Sequence, residues 1–326
     1  MGKILMVGAF DTKGSEYAFL REQILAKGHE VLAINTGVVG EAEDFAVDIA
    51  ADVVAIAGGS SLSALREARD RGEAMKVMSE GAAAVARRLH DEGQFDGIVG
   101  MGGSGGSSVV TAAMRALPGG VPKVCVSTVA SGDTSPYVGA KDVTLIPSIV
   151  DVAGVNRISR VIFARAAGAS CGMVEAAPPH AADDRPIIVA SMFGNTTECV
   201  NACVETLSRA DYEVLVFHAT GTGGKTMESL VDEGLVDAVL DITTTEWADE
   251  LVGGILGAGP DRLEAAARNG VPAVIAPGCL DMVNFGPRDT IPKIFSGRLF
   301  YELNPQITLM RTTAEECAEL GCILSE

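Results

Sequence analysis

The feature that most narrows the fold of this chain is an alternation. Short runs of β-branched and aliphatic residues, at 4–7, 31–34, 53–57, 97–99 and 124–126, are separated by longer stretches such as 16–27 and 73–91, where apolar residues return every three or four positions. The short runs predict buried strands and the longer stretches amphipathic helices. Strands that are apolar on both faces and alternate with helices predict an α/β fold with mainly parallel sheets, right-handed crossovers and a helix layer on each side. Residues are 48% hydrophobic but only 5% aromatic, so the cores must be filled by Ala, Val, Ile and Leu. At roughly 150 residues per domain, 326 residues make one large domain or two ordinary ones.

Residues 175–185 break the rhythm, with adjacent Pro178 and Pro179 followed by Asp183 and Asp184. They read as a linker between domains 1–180 and 181–326. The second half echoes the first: 187–191, a polar loop with Thr196, Thr197 and Glu198, then 213–221, answer 4–7, 11–16 and 30–37. Residues 237–241 answer 52–56, and 307–309 answer 143–145. Matches in this order predict an internal duplication, and hence two related domains facing each other across a cleft.

Lys and Arg number 25 against 43 Asp and Glu, a net charge of −18. Such a field repels phosphate backbones and anionic lipid, which excludes nucleic acid and membrane surfaces as expected partners. No apolar run approaches the ~18 residues of a spanning helix, and the opening stretch 4–10 is too short for a signal-peptide core. Seven cysteines, an odd number without a C-x-x-C pair, suit a reducing cytoplasm in which each is a small buried hydrophobe.

The sharpest local signal is Gly100-Met101-Gly102-Gly103-Ser104-Gly105-Gly106-Ser107-Ser108, between the strand at 97–99 and the helical pattern at 109–117. Without Cβ atoms, backbone N–H groups and a helix N-terminus can approach an anion closely, and the serines add hydroxyls. The alternative is a close-packed turn without ligand. Gly100, Gly102 and Gly105 match G-x-G-x-x-G, but the acidic ribose ligand expected ~20 residues on is absent, because the next strand ends in Ser127 and Thr128.

Three further loops share this character. Asp11, Thr12 and Lys13 follow the first strand and combine a metal-binding carboxylate with a phosphate-binding ammonium, or else an Asp N-cap with a solvated lysine. Gly58, Gly59 and Ser60 follow the run at 53–57, and Thr128, Ser131 and Asp133 follow the run at 124–126. Four loops at four strand ends are expected to converge on one sheet edge.

In the second half, Ala219-Thr220-Gly221-Thr222-Gly223-Gly224-Lys225-Thr226 fails the Walker spacing at Ala219, yet can still bind an anion at a helix start. His218 suits either acid-base work or a structural hydrogen bond; His29, His90 and His180 read as solvated. Cys199 and Cys203 fall on one helix face without further ligands, and Cys317 and Cys322 read as core. The stretch 277–289 fits neither period; Asp281, Asn284 and Arg288 are its candidate ligands, and an ordered crossing loop is the alternative.

The segments Phe10-Asp11-Thr12-Lys13-Gly14, 102–107, 127–139, Phe217-His218-Ala219-Thr220-Gly221, 241–246 and 281–289 together resemble one family over essentially the whole chain. It is the largely uncharacterised family of bacterial and fungal proteins that includes the amino-terminal domain of the tomato inhibitor of tomato mosaic virus RNA replication. The resemblance implies two Rossmann-like three-layer subdomains, ATP binding in the first, and dimerisation. The plant relative grips a viral replication protein, and bacterial relatives often accompany a TIM-barrel domain. Relatives also continue past position 326, which implies an incomplete second subdomain.

Three functions follow as expectations. The first is an ATP-dependent enzyme for phosphoryl or nucleotidyl transfer to a small acidic metabolite. Phosphates would lie on 102–108, Mg²⁺ near Asp11 or Asp133, with Lys13 and Arg288 neutralising charge and His218, Gly223, Lys225, Asp281 and Asn284 facing the substrate. The second is a nucleotide-responsive module that binds a protein. The third is an NAD-dependent dehydrogenase.

Overall fold

The computed structural model describes residues 1–176 and 185–325, so the proposed linker prolines, Asp183, Asp184 and His180 lie outside the described residues. The chain divides into two compact units, Met1–His180 and Ala181–Glu326.

Unit 1 runs β1 (Lys3–Gly8), α1 (Phe10–Leu25), β2 (Glu30–Asn35), α2 (Ala51–Ala57), α3 (Leu62–Ala68), α4 (Arg71–Asp91), β3 (Gly97–Gly102), α5 (Ser104–Arg115), β4 (Lys123–Ser127), α6 (Ser135–Val138), β5 (Thr144–Pro147) and α7 (Ser159–Glu175). Its five strands are all parallel, in the order β2-β1-β3-β4-β5. Period-two alternation divides β1 between two cores. Leu5 and Val7 pack under α2, α4 and α5 with Val54, Val85 and Val110. Ile4 and Met6 face the other way, toward Tyr17, Leu20 and Phe163 of α1 and α7. The expected three layers are present.

Unit 2 runs β6 (Ile187–Met192), α8 (Thr197–Arg209), β7 (Glu213–His218), α9 (Thr222–Asp232), β8 (Ala238–Thr243), α10 (Thr245–Val252), α11 (Glu264–Asn269), β9 (Ala273–Gly278), β10 (Met282–Phe285), β11 (Phe300–Asn304), β12 (Ile307–Arg311) and α12 (Ala314–Ser325). Its parallel sheet has the order β7-β6-β8-β9, with Val189 and Val239 packed against α9 and α11. A separate antiparallel sheet, β10-β12-β11, packs with α10 and α12 around Val283, Phe285 and Met310.

The order 2-1-3-4 recurs in both parallel sheets, so the duplication is a duplication of topology. Two of the sequence matches behind it fail. Residues 53–57 form helix α2, not a strand, and the counterpart of β8 is β3. β12 is the centre of an antiparallel sheet, whereas β5 is a parallel edge strand. Helix α2 is set by close packing: a Cβ at Gly58 would lie 2.0 Å from the Val77 carbonyl oxygen, and one at Gly81 would lie 1.9 Å from that of Val54. Glycines let α2 and α4 touch backbone to backbone.

Other expectations also change. His29 is buried and bonded to Glu175 at 2.9 Å, and His90 is half-buried beside Phe95, so neither is simply solvated. Cys125 and Cys171 are buried, but Cys199, Cys317 and Cys322 are exposed. The stretch 277–289 contains strand β10 rather than an irregular loop.

Candidate functional site

In unit 1 the strand order reverses between β1 and β3, the position at which open parallel sheets leave a crevice at the carboxyl ends of their strands. A cavity of about 950 Å³ opens there. Its walls come from Asp11, Thr12 and Lys13 after β1, from 36–39 after β2, from Gly102, Gly103, Ser104, Gly105 and Gly106 after β3, and from the α3–α4 segment.

Behind Met101 of the wall, the buried Tyr17 hydroxyl accepts the Met101 N–H at 2.7 Å and donates to the Val7 carbonyl at 2.8 Å, tying β1 to β3. Burial pushes this phenol far above its ordinary pKa, so it stays protonated. Helix α5 then starts at Ser104 with Gly103 as N-cap and no side-chain cap. Among the described residues, no protein acceptor meets the N–H groups of Ser104, Gly105 and Gly106.

The glycines of this loop divide into two kinds. A Cβ at Gly102 would meet the Gly106 Cα at 2.7 Å, so Gly102 is required by packing. A Cβ at Gly103, Gly105 or Gly106 would meet nothing closer than 3.4 Å, and at Gly105 only the tips of Met75 and Arg71. Glycine inside a helix costs about 1 kcal/mol relative to alanine, and packing does not offset that cost at 105 and 106. Both positions line the cavity.

Several candidate residues have structural partners instead. Ser107 is buried, bonded to Ser127 at 2.6 Å and to the Gly102 carbonyl at 3.2 Å, which knots α5 to β4. Asp11 is not an N-cap: it stands in the first turn of α1 and its Oδ2 accepts the N–H groups of Val39 at 2.8 Å and Gly40 at 3.0 Å. Its Oδ1 is buried against Gly37 and has no hydrogen-bond partner among the described residues. Lys13 reaches the wall from a break in α1, where its φ and ψ are −130° and 25°.

Only two of the four expected loops line the cavity. Gly58, Gly59 and Ser60 follow a helix and serve its packing and termination, Gly59 at φ +84°. Thr128, Ser131 and Asp133 are exposed and stand off the cavity wall. The Asp133 carboxylate accepts the Ser135 hydroxyl at 2.6 Å and N–H at 3.0 Å, which hold its pKa below the usual range. No group of three or more His, Cys, Asp or Glu able to hold a metal occurs among the described residues.

Sequence reasoning missed Arg66, Arg69 and Arg71, which all line the cavity. Three arginines within six positions were the available signal. Arg66 donates to the Val38 and Gly40 carbonyls and to Glu41, holding the same loop that Asp11 holds from the other side.

In unit 2 the loop before α9 already has its anion. Glu246 Oε1 accepts the N–H groups of Gly221 at 2.6 Å and Gly224 at 3.0 Å. Its other oxygen takes the Arg262 Nε at 2.8 Å, and Arg262 reaches Asp241 at 2.6 and 2.9 Å. Burial alone would lower the Arg262 pKa, but Asp241 and Glu246 hold it above its ordinary value. Gly223 is a packing glycine, 1.9 Å from the His218 carbonyl oxygen at its absent Cβ, and Lys225 is exposed. His218 is exposed, 3.3 Å from the Met192 carbonyl and edge-on to Phe193.

Asn284 donates its N–H and its amide to the two oxygens of buried Asp249, at 3.1 and 2.7 Å. Asp281 pairs with Arg311 at 2.8 Å, and the Arg288 guanidinium lies 3.6 Å from the centre of the Phe300 ring.

The comparisons with known proteins agree over both units. Residues 2–179 match the model described as Uncharacterised protein family (UPF0261) N-terminal domain, and residues 185–326 match the corresponding C-terminal domain. This chain belongs to the UPF0261 family. A UPF0261 protein of Clostridium tetani is 52% identical over 324 residues, covering 99% of this chain and 80% of that one. The ToMV resistance protein Tm-1(GCR237) of Solanum lycopersicum is 39% identical over 99% of this chain, which spans 46% of that longer protein. Among solved structures, UDP-N-acetylglucosamine 2-epimerase from Rickettsia bellii aligns with 84% of this chain and 78% of its own, at 10% identity and a TM-score of 0.29. Among the described residues no helix is long and apolar enough to cross a membrane.

Proposed function

We propose that unit 1 of this UPF0261 protein binds ATP, with its phosphates on the amides of residues 104–106. The observation that carries this reading is that Gly103, Gly105 and Gly106 are not needed by their own packing and leave a helix N-terminus open to a cavity. Lys13 and the arginines of the α3–α4 segment add positive charge to a chain that is otherwise strongly acidic. Mg²⁺ arrives with the nucleotide, takes most of its ligands from phosphate and water, and lowers the charge of the phosphates.

With phosphates so held, the chemistry within reach is phosphoryl or nucleotidyl transfer to a small acidic metabolite, which rests on positioning and charge neutralisation. The second reading is a nucleotide-responsive protein-binding module, favoured by the 39% identity to a ToMV resistance protein along nearly the whole chain. An NAD-dependent dehydrogenase is third: the glycine loop follows β3, whereas the dinucleotide fingerprint opens the first βα turn. Millimolar ATP with Mg²⁺ is expected to raise the melting temperature, since a ligand bound only by the folded state stabilises it. An unchanged melting temperature contradicts the reading. ATP turnover with a metabolite library supports the enzyme, and binding without turnover supports the module.

A further inference from the structure

Helices α1 and α7 pack side by side on one face of the unit 1 sheet, with Leu20, Ile24, Phe163 and Ala167 buried in the core beneath them. Their outward sides leave a groove of about 540 Å³, lined by Phe19 and Gln23 of α1 and by Arg160, Val161, Ala164 and Arg165 of α7. Val161 is 47% exposed, and Ile158, one turn earlier, is 48% exposed, so apolar surface lies open beside it. Lys27 extends the α1 side: four residues beyond Gln23, its Cε stands 3.9 Å from where a Cβ on Gly168 of α7 would be.

The groove is set apart by its charge. Arg66, Arg87, Arg88, Arg209, Arg262, Arg268, Arg288, Arg298 and Arg311 each have a carboxylate at 4.0 Å or less. Among the described residues no carboxylate stands that close to Arg157, Arg160, Arg165 or Lys27, in a chain with 43 acidic side chains. The carboxylates of α1 and α7 are engaged elsewhere: Asp11 accepts the Val39 and Gly40 amides, Glu16 the Gly154 N–H at 2.6 Å, and Glu175 is bonded to His29 at 2.9 Å. Glu22 is exposed but stands off the groove lining. The Arg160 guanidinium lies 5.4 Å from the centre of the Phe19 ring, a cation–π contact that holds it at the groove.

We propose that this groove docks an acidic amphipathic helix of a partner protein. Carboxylates of that helix meet Arg160 and Arg165, and its apolar side chains rest on Val161, Ala164 and the Phe19 ring. Charge complementarity selects this occupant, because the unpaired guanidiniums call for anions and the apolar surface between them calls for aliphatic contact that a bare polyanion lacks. A nucleic acid or an anionic membrane also meets the repulsive field of a chain at −18, whereas a short segment feels chiefly the charges within about 8 Å. A second copy related by a two-fold axis at this face sets arginine against arginine. The groove shares no lining residue with the nucleotide cavity, so docking and nucleotide binding stand or fall separately.

The test is selection of a phage-displayed library of helical peptides on the full chain. Selected peptides are then titrated by fluorescence anisotropy against wild type, Arg160→Gln, Val161→Asp and the double variant Arg160→Glu, Arg165→Glu. Enrichment of peptides carrying Asp or Glu beside apolar residues at three- and four-residue spacing is expected. Their affinity should fall about tenfold or more in the double variant and in Val161→Asp, and less in Arg160→Gln. No enrichment, enrichment of basic or uncharged peptides, or affinity that the variants leave unchanged overturns the proposal. So does displacement of the peptide by single-stranded RNA or by phosphatidylserine vesicles, which would make the groove a plain polyanion site. A dimer seen by sedimentation in wild type and lost in the double variant would give the face to a second copy and overturn the proposal as well. Arg160, Val161 and Arg165 are all exposed, and circular dichroism of each variant, with Arg160→Gln as the mild substitution, separates a folding defect from a binding one.

Discussion

The Glu246 carboxylate lies 2.6 Å from the Gly221 amide and so occupies the N-terminus of α9 from within the chain. The glycine-rich loop of unit 2 therefore resembles that of unit 1 in sequence but not in availability. In unit 1 the corresponding amides face a cavity; in unit 2 they face a buried carboxylate that is itself paired with Arg262.

Lys225 is accordingly expected to be silent toward nucleotide. Lys225→Ala should leave ATP affinity within about twofold of wild type, since an internal anion already complements the helix end. Titration of the variant checks this, and a loss of tenfold would mean that the unit 2 loop takes part.

The two kinds of glycine in unit 1 predict opposite phenotypes. Gly105→Val should fold and lose ATP binding by about tenfold or more, because its branch fills the space in front of the amides. Gly102→Val should fail to fold normally, because its Cβ collides with the Gly106 backbone. Circular dichroism and titration together read both outcomes. Unchanged affinity in folded Gly105→Val would make that glycine a packing residue.

Much of this was legible from sequence, and the failures have physical causes. The strands of β1, β3 and β4 announce themselves because both faces are buried. The run Val53-Val54-Ala55-Ile56-Ala57 is equally apolar but is a helix that buries Val54 and Ala55 and exposes Val53 and Ile56, and a run this short carries no decisive period. The paired glycines at 58 and 59 end this helix rather than form a ligand loop. Asn284 looked like a ligand because it stood in a polar stretch, whereas its true partner, Asp249, lies 35 residues away and is invisible to local pattern. Arg69 and Arg71 stand in a local arginine cluster, but only the fold brings that cluster and the glycine loop to one cavity.

Asp11 tethers a loop in this structure, and the effect of Asp11→Asn should therefore be independent of metal. The variant keeps one oxygen for the Val39 and Gly40 amides, so any loss of ATP affinity should have the same ratio to wild type in Mg²⁺ and in EDTA. A loss confined to Mg²⁺ would instead make Asp11 a metal ligand.

Asp249 gives unit 2 a pH dependence. Burial pushes its carboxyl up to about 6, against the pull of the amide groups that donate to it. A folded pKa raised above the unfolded one adds stability that is full below the unfolded value and is lost as pH rises through the folded value. Relative to Asp249→Asn, the wild type should lose up to about 3 kcal/mol of unfolding free energy between pH 4 and pH 7. Urea denaturation across that range measures it, and parallel profiles for the two proteins would contradict it.

The most direct measurement is a crystal structure of the protein soaked with ATP and Mg²⁺. The account predicts phosphate oxygens within hydrogen-bond distance of the amides of Ser104, Gly105 and Gly106. Nucleotide bound elsewhere, or a cavity that stays empty at millimolar ATP, would contradict it.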